Sequence, residues 1–122
     1  MKIMLVDDSR TMRNIQKNVL AQLGYSDIVE AADGQEALKV AEAEKPELIL
    51  LDWNMPKLDG LGFLKEFRGA NKTTPVIMVT TEAEKARVVE AIKAGVNNYV
   101  IKPFTPELLQ TRINETLEKK AA

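Results

Sequence analysis

The stretch Leu48-Ile49-Leu50-Leu51-Asp52-Trp53-Asn54-Met55-Pro56-Lys57-Leu58-Asp59-Gly60 decides the fold. Its first four residues are aliphatic without interruption, the pattern of a strand buried on both faces. The strand ends on an acid, Asp52, and turn-forming residues then break the chain. Strands of that kind belong to the middle of a parallel sheet. A carboxylate at the carboxyl end of such a strand lies where open α/β sheets bind ligands.

Upstream, the spacing of Ala37, Leu38 and Ala41 predicts a helix over residues 34–43 that ends before Pro46. Asp33 and Glu36 before it have capping-box spacing. Ile28 and Val29 mark a short strand over 27–30. An earlier helix runs from a Ser9 cap to about Leu23, with Met12, Ile15, Val19 and Leu23 on one stripe and Gly24 ending it. The first strand, Ile3-Met4-Leu5-Val6, stops at Asp7-Asp8.

Downstream, a helix over about 58–68 turns Leu61, Leu64 and Phe67 inward, with Phe63 beside them. After the polar loop at 71–74, Pro75 opens the strand Val76–Val79, which leads to Thr80-Thr81. Val88, Val89 and Ile92, at helical spacing, predict a helix over 84–94, and Gly95 stops it. A strand at 98–101 precedes Lys102-Pro103-Phe104. Thr105 and Pro106 then start a last helix to about Lys119, with Leu109, Ile113 and Leu117 inward.

Five strands alternate with five helices in a 122-residue chain, with no linker, repeat or low-complexity segment. The expected fold is α/β: one domain over 1–122, a doubly wound five-stranded parallel sheet of flavodoxin-like order 2-1-3-4-5. A chain of this size buries roughly two-thirds of its unfolded surface, enough for one core.

Composition narrows the chemistry. The formal charge of −1, from 17 basic and 18 acidic residues, lacks the basic excess that nucleic-acid binding requires. No apolar run approaches the roughly 18 residues of a membrane span, and no signal peptide precedes the first strand, so the cytoplasm is expected. With no Cys there is no thiolate site, and with no His no imidazole acid–base. Carboxylates, Lys, hydroxyls and a bound metal remain.

The strand order places the chain's polar residues together. Strand 1 ends at Asp7-Asp8, strand 3 at Asp52, strand 4 at Thr80 and strand 5 at Lys102. Like charges a few Å apart repel by on the order of 4 kcal/mol at intermediate dielectric, so three carboxylates in one crevice call for a hard cation. Oxygen-only ligands point to Mg²⁺, or Mn²⁺ as a substitute. Asp52 is then a candidate nucleophile for a phosphoryl group, with the metal on one side of it and Lys102 on the other. The Thr80 hydroxyl can bond a phosphoryl oxygen. Each residue alone has a plainer reading: Asp7-Asp8 as cap acids, Asp52 as a turn residue, Thr80 as a helix cap, Lys102 as a solvated lysine. The coincidence of four strand ends argues against that reading.

These residues carry a resemblance. With Thr11-Met12-Arg13, Asp52-Trp53-Asn54-Met55-Pro56, Asp59-Gly60, Val79-Thr80-Thr81-Glu82-Ala83, Ala94-Gly95 and Lys102-Pro103-Phe104-Thr105, the chain resembles the response-regulator receiver domains over its whole length. The resemblance implies that Asp52 is charged from a phosphohistidine on a histidine kinase of the chemotaxis type. It implies that Asp7 and Asp8 hold Mg²⁺ beside Asp52, Asp8 more directly, and that the Asn54 backbone carbonyl completes the shell. It further implies a cis Lys102–Pro103 bond, a Thr80–Tyr99 switch pair, and Asn54 and Glu82 side chains that tune phosphate lifetime, with a phosphatase as a possible partner. Thr81 departs from the small residue common in the family, and Ser9-Arg10 also differs.

No output domain is expected after Ala122, so the signal would leave a monomer through a surface. The resemblance places that surface at Lys85, Val88, Ile92, Tyr99 and Arg112, although Val88 and Ile92 also read as core. The expected function is a stand-alone phosphorylation switch acting on the flagellar motor switch protein, not an enzyme with a separate substrate. Alternatives are a receiver in a phosphorelay or on a non-motor effector, and a true enzyme such as a flavin binder or aspartate-based phosphohydrolase. The hydrolase would want an acid where Asn54 stands, and flavin phosphate would meet Asp7-Asp8.

Overall fold

Alternating side chains of the buried strands build two cores, one on each face of a single sheet. The computed structural model describes residues 1–121; Ala122, the end of the expected domain, lies outside them. The elements are β1 (Lys2–Val6), α1 (Arg10–Gln22), β2 (Asp27–Ala31), α2 (Gly34–Glu44), β3 (Leu48–Leu51), α3 (Gly60–Ala70), β4 (Val76–Thr80), α4 (Lys85–Lys93), β5 (Asn98–Ile101) and α5 (Pro106–Ala121). The sheet is parallel throughout, in the order β2-β1-β3-β4-β5.

Successive strand residues point to opposite faces. Met4, Val6, Ile49, Leu51, Val76 and Met78 therefore pack with Ala37 and Ala41 of α2, Phe63, Leu64 and Phe67 of α3, and Ala91 of α4. Ile3, Leu5, Leu48, Leu50, Ile77, Val79 and Val100 pack with Val19 and Leu20 of α1 and Leu109 and Ile113 of α5. Register sets the depth of the strand ends: Val6 pairs with Leu51, Leu51 with Met78, and Met78 with Tyr99. Asp7 and Asp52 thus leave adjacent strands at one level.

The helix caps follow local chemistry. The Ser9 hydroxyl accepts from the Met12 N–H at 3.2 Å and Asp33 Oδ1 from the Glu36 N–H at 2.8 Å. Glu36 answers by accepting from the Ala32 N–H at 2.8 Å, one residue before the cap. Gly24 closes α1 at φ 90°, a conformation that favours glycine.

Three expectations are corrected. In α1 the expected Val19 is buried and Leu23 packs against the core, but Ile15 is 42% exposed, and Gln16 and Leu20 are buried beside Val19 instead. In α4 only Ala91 is fully buried; Val89 and Ile92 are exposed, at 40% and 58%, and Val88 is half-buried. α4 approaches the sheet on a methyl group, and its larger apolar side chains face outward. Third, α3 begins at Gly60, not Leu58, because Asp59 caps it by accepting from the Gly62 N–H at 2.7 Å, and Lys57 sits at φ 68°. Phe63, expected beside the α3 stripe, lies in its centre and stacks on Phe67 at 5.4 Å.

Candidate functional site

Main-chain hydrogen bonds continue past the strand ends and fix the site. The Asp7 N–H donates to the Ala31 carbonyl at 3.1 Å, Asp52 N–H to Val6 at 2.9 Å, and Lys102 N–H to Thr80 at 2.9 Å. Asp7 and Thr80 are fully buried, Asp52 is 8% exposed, and Asp8 is open to solvent. One oxygen from each of Asp7, Asp8 and Asp52 lies within 4.8 Å of the others.

Lys102 reaches across the sheet end from β5. Its Nζ lies 2.7 Å from Asp7 Oδ2 and 3.4 Å from Asp52 Oδ2. The Lys102–Pro103 bond is cis. Asp7 Oδ1 accepts from the Ser9 N–H at 2.8 Å, and Asp52 Oδ1 from the Trp53 N–H at 2.7 Å. Burial raises the Asp52 carboxyl above the ordinary aspartate range. Lys102 opposes that rise, Asp7 adds to it, and Thr80 and the Trp53 N–H favour the ionised form.

The loop after Asp52 is held shut. The Gly60 N–H donates to the Trp53 carbonyl at 2.7 Å. A Cβ on Gly60 would collide with the Asp52 backbone carbonyl, so the glycine is there for close approach rather than for a special φ. Trp53 is buried, and the Arg87 guanidinium lies over its ring at 5.4 Å, a contact between the β3–α3 loop and α4.

The second ring of expected residues also assembles. Asn54 Nδ2 donates to Glu82 Oε1 at 3.1 Å. The Glu82 N–H donates to the Thr80 hydroxyl at 3.3 Å, and the Tyr99 hydroxyl donates to the Glu82 carbonyl at 2.7 Å. Desolvation, with the Glu82 and Asp52 charges behind it, pushes the Tyr99 hydroxyl up to about 12, so it stays a donor. Thr81 is exposed. Lys85, Val88 and Ile92 lie on α4 and Tyr99 on β5, while Arg112, on α5, pairs with Glu115 at 2.9 Å.

Two site contacts were not legible from residue pattern. One is Arg87 over Trp53. The other is Arg13, whose guanidinium donates to the Asp7 carbonyl at 2.6 Å and to Glu30 at 2.8 Å. Neither pair has a local spacing that signals it. Thr11-Met12-Arg13 marked Arg13 only as part of a motif.

Three carboxylates face one ammonium, so the cluster carries excess negative charge. All three offer oxygen, and Asp8 is exposed, with no hydrogen bond or ion pair on its side chain among the described residues. That donor set fits a hard divalent cation.

The chain belongs to the response regulator receiver domain family, whose model matches residues 3–114. It is 49% identical over 120 residues to the chemotaxis protein CheY1 of Helicobacter pylori strain J99, covering 96% of this chain and 97% of that protein. It is 48% identical over 120 residues to the chemotaxis protein CheY homolog of Campylobacter jejuni strain 81-176, covering 96% and 92%. The crystal structure of a CheY-like response regulator receiver domain protein from Methanospirillum hungatei superposes with a TM-score of 0.91 at 30% identity, covering 98% of this chain and 95% of that one. The fold is CheY-like, with the strand order 2-1-3-4-5 expected from the sequence.

Proposed function

We propose that the protein is a phosphorylation switch that takes a phosphoryl group on Asp52 from a histidine kinase. One observation carries this reading: a nearly buried carboxylate, with a raised pKa, lies between an acid cluster and a lysine at one sheet end.

An Asp52 oxygen attacks phosphorus in line, an O–P bond forms, and the bond to the donor's imidazole nitrogen breaks. Lys102, fixed at 2.7 Å by Asp7, faces the charge that develops on the phosphoryl oxygens. Asp7, Asp8 and Asp52, with the Asn54 carbonyl, would hold Mg²⁺, or Mn²⁺ in its place. That ion supplies charge neutralisation at the phosphoryl group. Asp8 is free to turn toward it. Phosphorylation removes the Asp52 carboxylate that Thr80 faces, so the Thr80 hydroxyl turns to a phosphoryl oxygen. The Glu82 N–H bond to Thr80 and the Tyr99 bond to the Glu82 carbonyl are the route from there to α4 and β5. Asn54 and Glu82, bonded to each other over the site, govern access of hydrolytic water and so the lifetime of the signal.

The protein turns over no separate substrate; it catalyses only its own acylation and hydrolysis. The chemotaxis names of its relatives support a motor-switch partner on the α4–β5–α5 face, in the cytoplasm. Among the described residues no helix is long and apolar enough to cross a membrane.

The test uses Trp53, the single tryptophan, beside Asp52. Its emission should change with Mg²⁺ and again with acetyl phosphate. The second change should vanish in Asp52→Asn while folding survives; a persisting phosphodonor response in that variant refutes the acceptor assignment. Capture of a flagellar switch protein only under phosphorylating conditions tests the partner, and capture of an unrelated effector instead would overturn it.

A further inference from the structure

Arg13 stands in an unfavourable place for a cation. It lies in the first turns of α1, where the partial positive charge of the helix N-terminus repels it. Helix stability does not account for it. Its guanidinium is largely buried and points back over the N-terminus, the direction a helical side chain leans. One arm donates to the Asp7 carbonyl at 2.6 Å, and Nε donates to Glu30 Oε1 at 2.8 Å. Glu30, on β2, also accepts from Lys17 at 3.0 Å, so the anchor is itself braced, and the two cations hold its carboxyl below the ordinary range against desolvation.

The atom that Arg13 grips is the carbonyl joining Asp7 to Asp8. A peptide unit is planar, so pinning that oxygen fixes the plane from which the Asp8 Cα departs. Asp7 needs no such help: Ser9, Lys102 and Ala31 already hold it at Oδ1, Oδ2 and N. Among the described residues nothing bonds the Asp8 side chain. Its place within 4.8 Å of the other two carboxylates is set by backbone alone.

We infer that Arg13, braced by Glu30, is a positioning residue that aims the Asp7–Asp8 peptide so that the Asp8 carboxylate faces the cation site. The inference rests on the metal reading above and deepens it. Charge and position make opposite claims here. As a nearby cation Arg13 repels Mg²⁺, so its removal should tighten binding. As a positioning residue its removal should weaken binding, by about tenfold for an outer-shell partner.

The experiment titrates Mg²⁺ alone into the full chain, following Trp53 emission and, separately, the rise in melting temperature. Arg13→Ala and Arg13→Lys should each weaken Mg²⁺ about tenfold. The lysine variant keeps the charge but loses the fork that spans Asp7 and Glu30. Glu30→Gln, which retains an acceptor oxygen, should lose less. A purely structural role lowers the melting temperature and leaves Mg²⁺ affinity of the folded protein unchanged. Unchanged or tighter binding in Arg13→Lys overturns the inference; should the alanine variant fail to fold, the lysine variant decides alone. Asp8→Asn separates the two readings. If the unsubstituted protein gives no Mg²⁺ response, or Asp8→Asn leaves it intact, the metal reading falls and this inference with it.

Discussion

Replacing Lys102 with Met removes the one ammonium from a cluster of three carboxylates while keeping most of the side-chain volume. The geometry sets the scale. Nζ lies 2.7 Å from Asp7 and 3.4 Å from Asp52, and the three side chains are only 11%, 1% and 10% exposed. At an effective dielectric near 20 those separations correspond to gross attractions of about 6 and 5 kcal/mol. Freeing the lysine of its desolvation returns several kcal/mol. The expected loss is about 3–5 kcal/mol, the range for removing one partner of a buried pair. With a urea slope near 1.5 kcal/mol/M, the unfolding midpoint should fall by roughly 2–3 M at neutral pH without divalent cations.

The pH dependence is diagnostic. Lys102 is the largest influence holding the Asp52 carboxyl down, so the variant raises it further above 3.8, its value in the unfolded chain. A carboxyl with a raised folded pKa binds more protons when folded. Stability then falls as pH rises from about 3.8 through the folded value, and the penalty is complete above it. The deficit against the unsubstituted protein should therefore be largest near neutrality and shrink toward pH 4. A variant as stable as the parent at neutral pH, or a deficit that ignores pH, would refute the electrostatic account.

Other outcomes follow from single contacts. Gly60→Ala drives a Cβ into the Asp52 backbone carbonyl and should cost about 1–3 kcal/mol in thermal or urea unfolding. Arg87→Ala removes the guanidinium from over Trp53; stability should drop by about 0.5–1 kcal/mol, and Trp53 emission should change with no ligand added. Ile92→Ser, at a residue 58% exposed, should leave the unfolding midpoint within about 0.5 kcal/mol of the parent and weaken capture of the proposed partner.

The strands and the site acids could be read because their signals are local. Leu48–Leu51 comes out with the expected limits, since an unbroken apolar run bounded by turn residues has few other readings, and Asn98–Ile101, which opens on a polar residue, does as well. The strand order then brought Asp7, Asp8, Asp52, Thr80 and Lys102 together. Helix phase was less legible. α1 buries Gln16 and exposes Ile15, an inversion that no hydrophobic pattern predicts. The grip of Arg13 on Asp7 and Glu30, and of Arg87 on Trp53, joins residues from separate elements, where spacing along the chain carries no information.

α4 has a consequence for where motion begins. Its one fully buried side chain is a methyl, worth on the order of 1 kcal/mol of burial, whereas α3 seats two phenylalanines and a leucine. A helix moored so lightly opens at little expense of free energy, and its amides should exchange with solvent well before those of β3. Shifting α4 leaves the α1–α5 core untouched and disturbs the other only at Ala91, so a change at the sheet end can pass outward without the molecule coming apart.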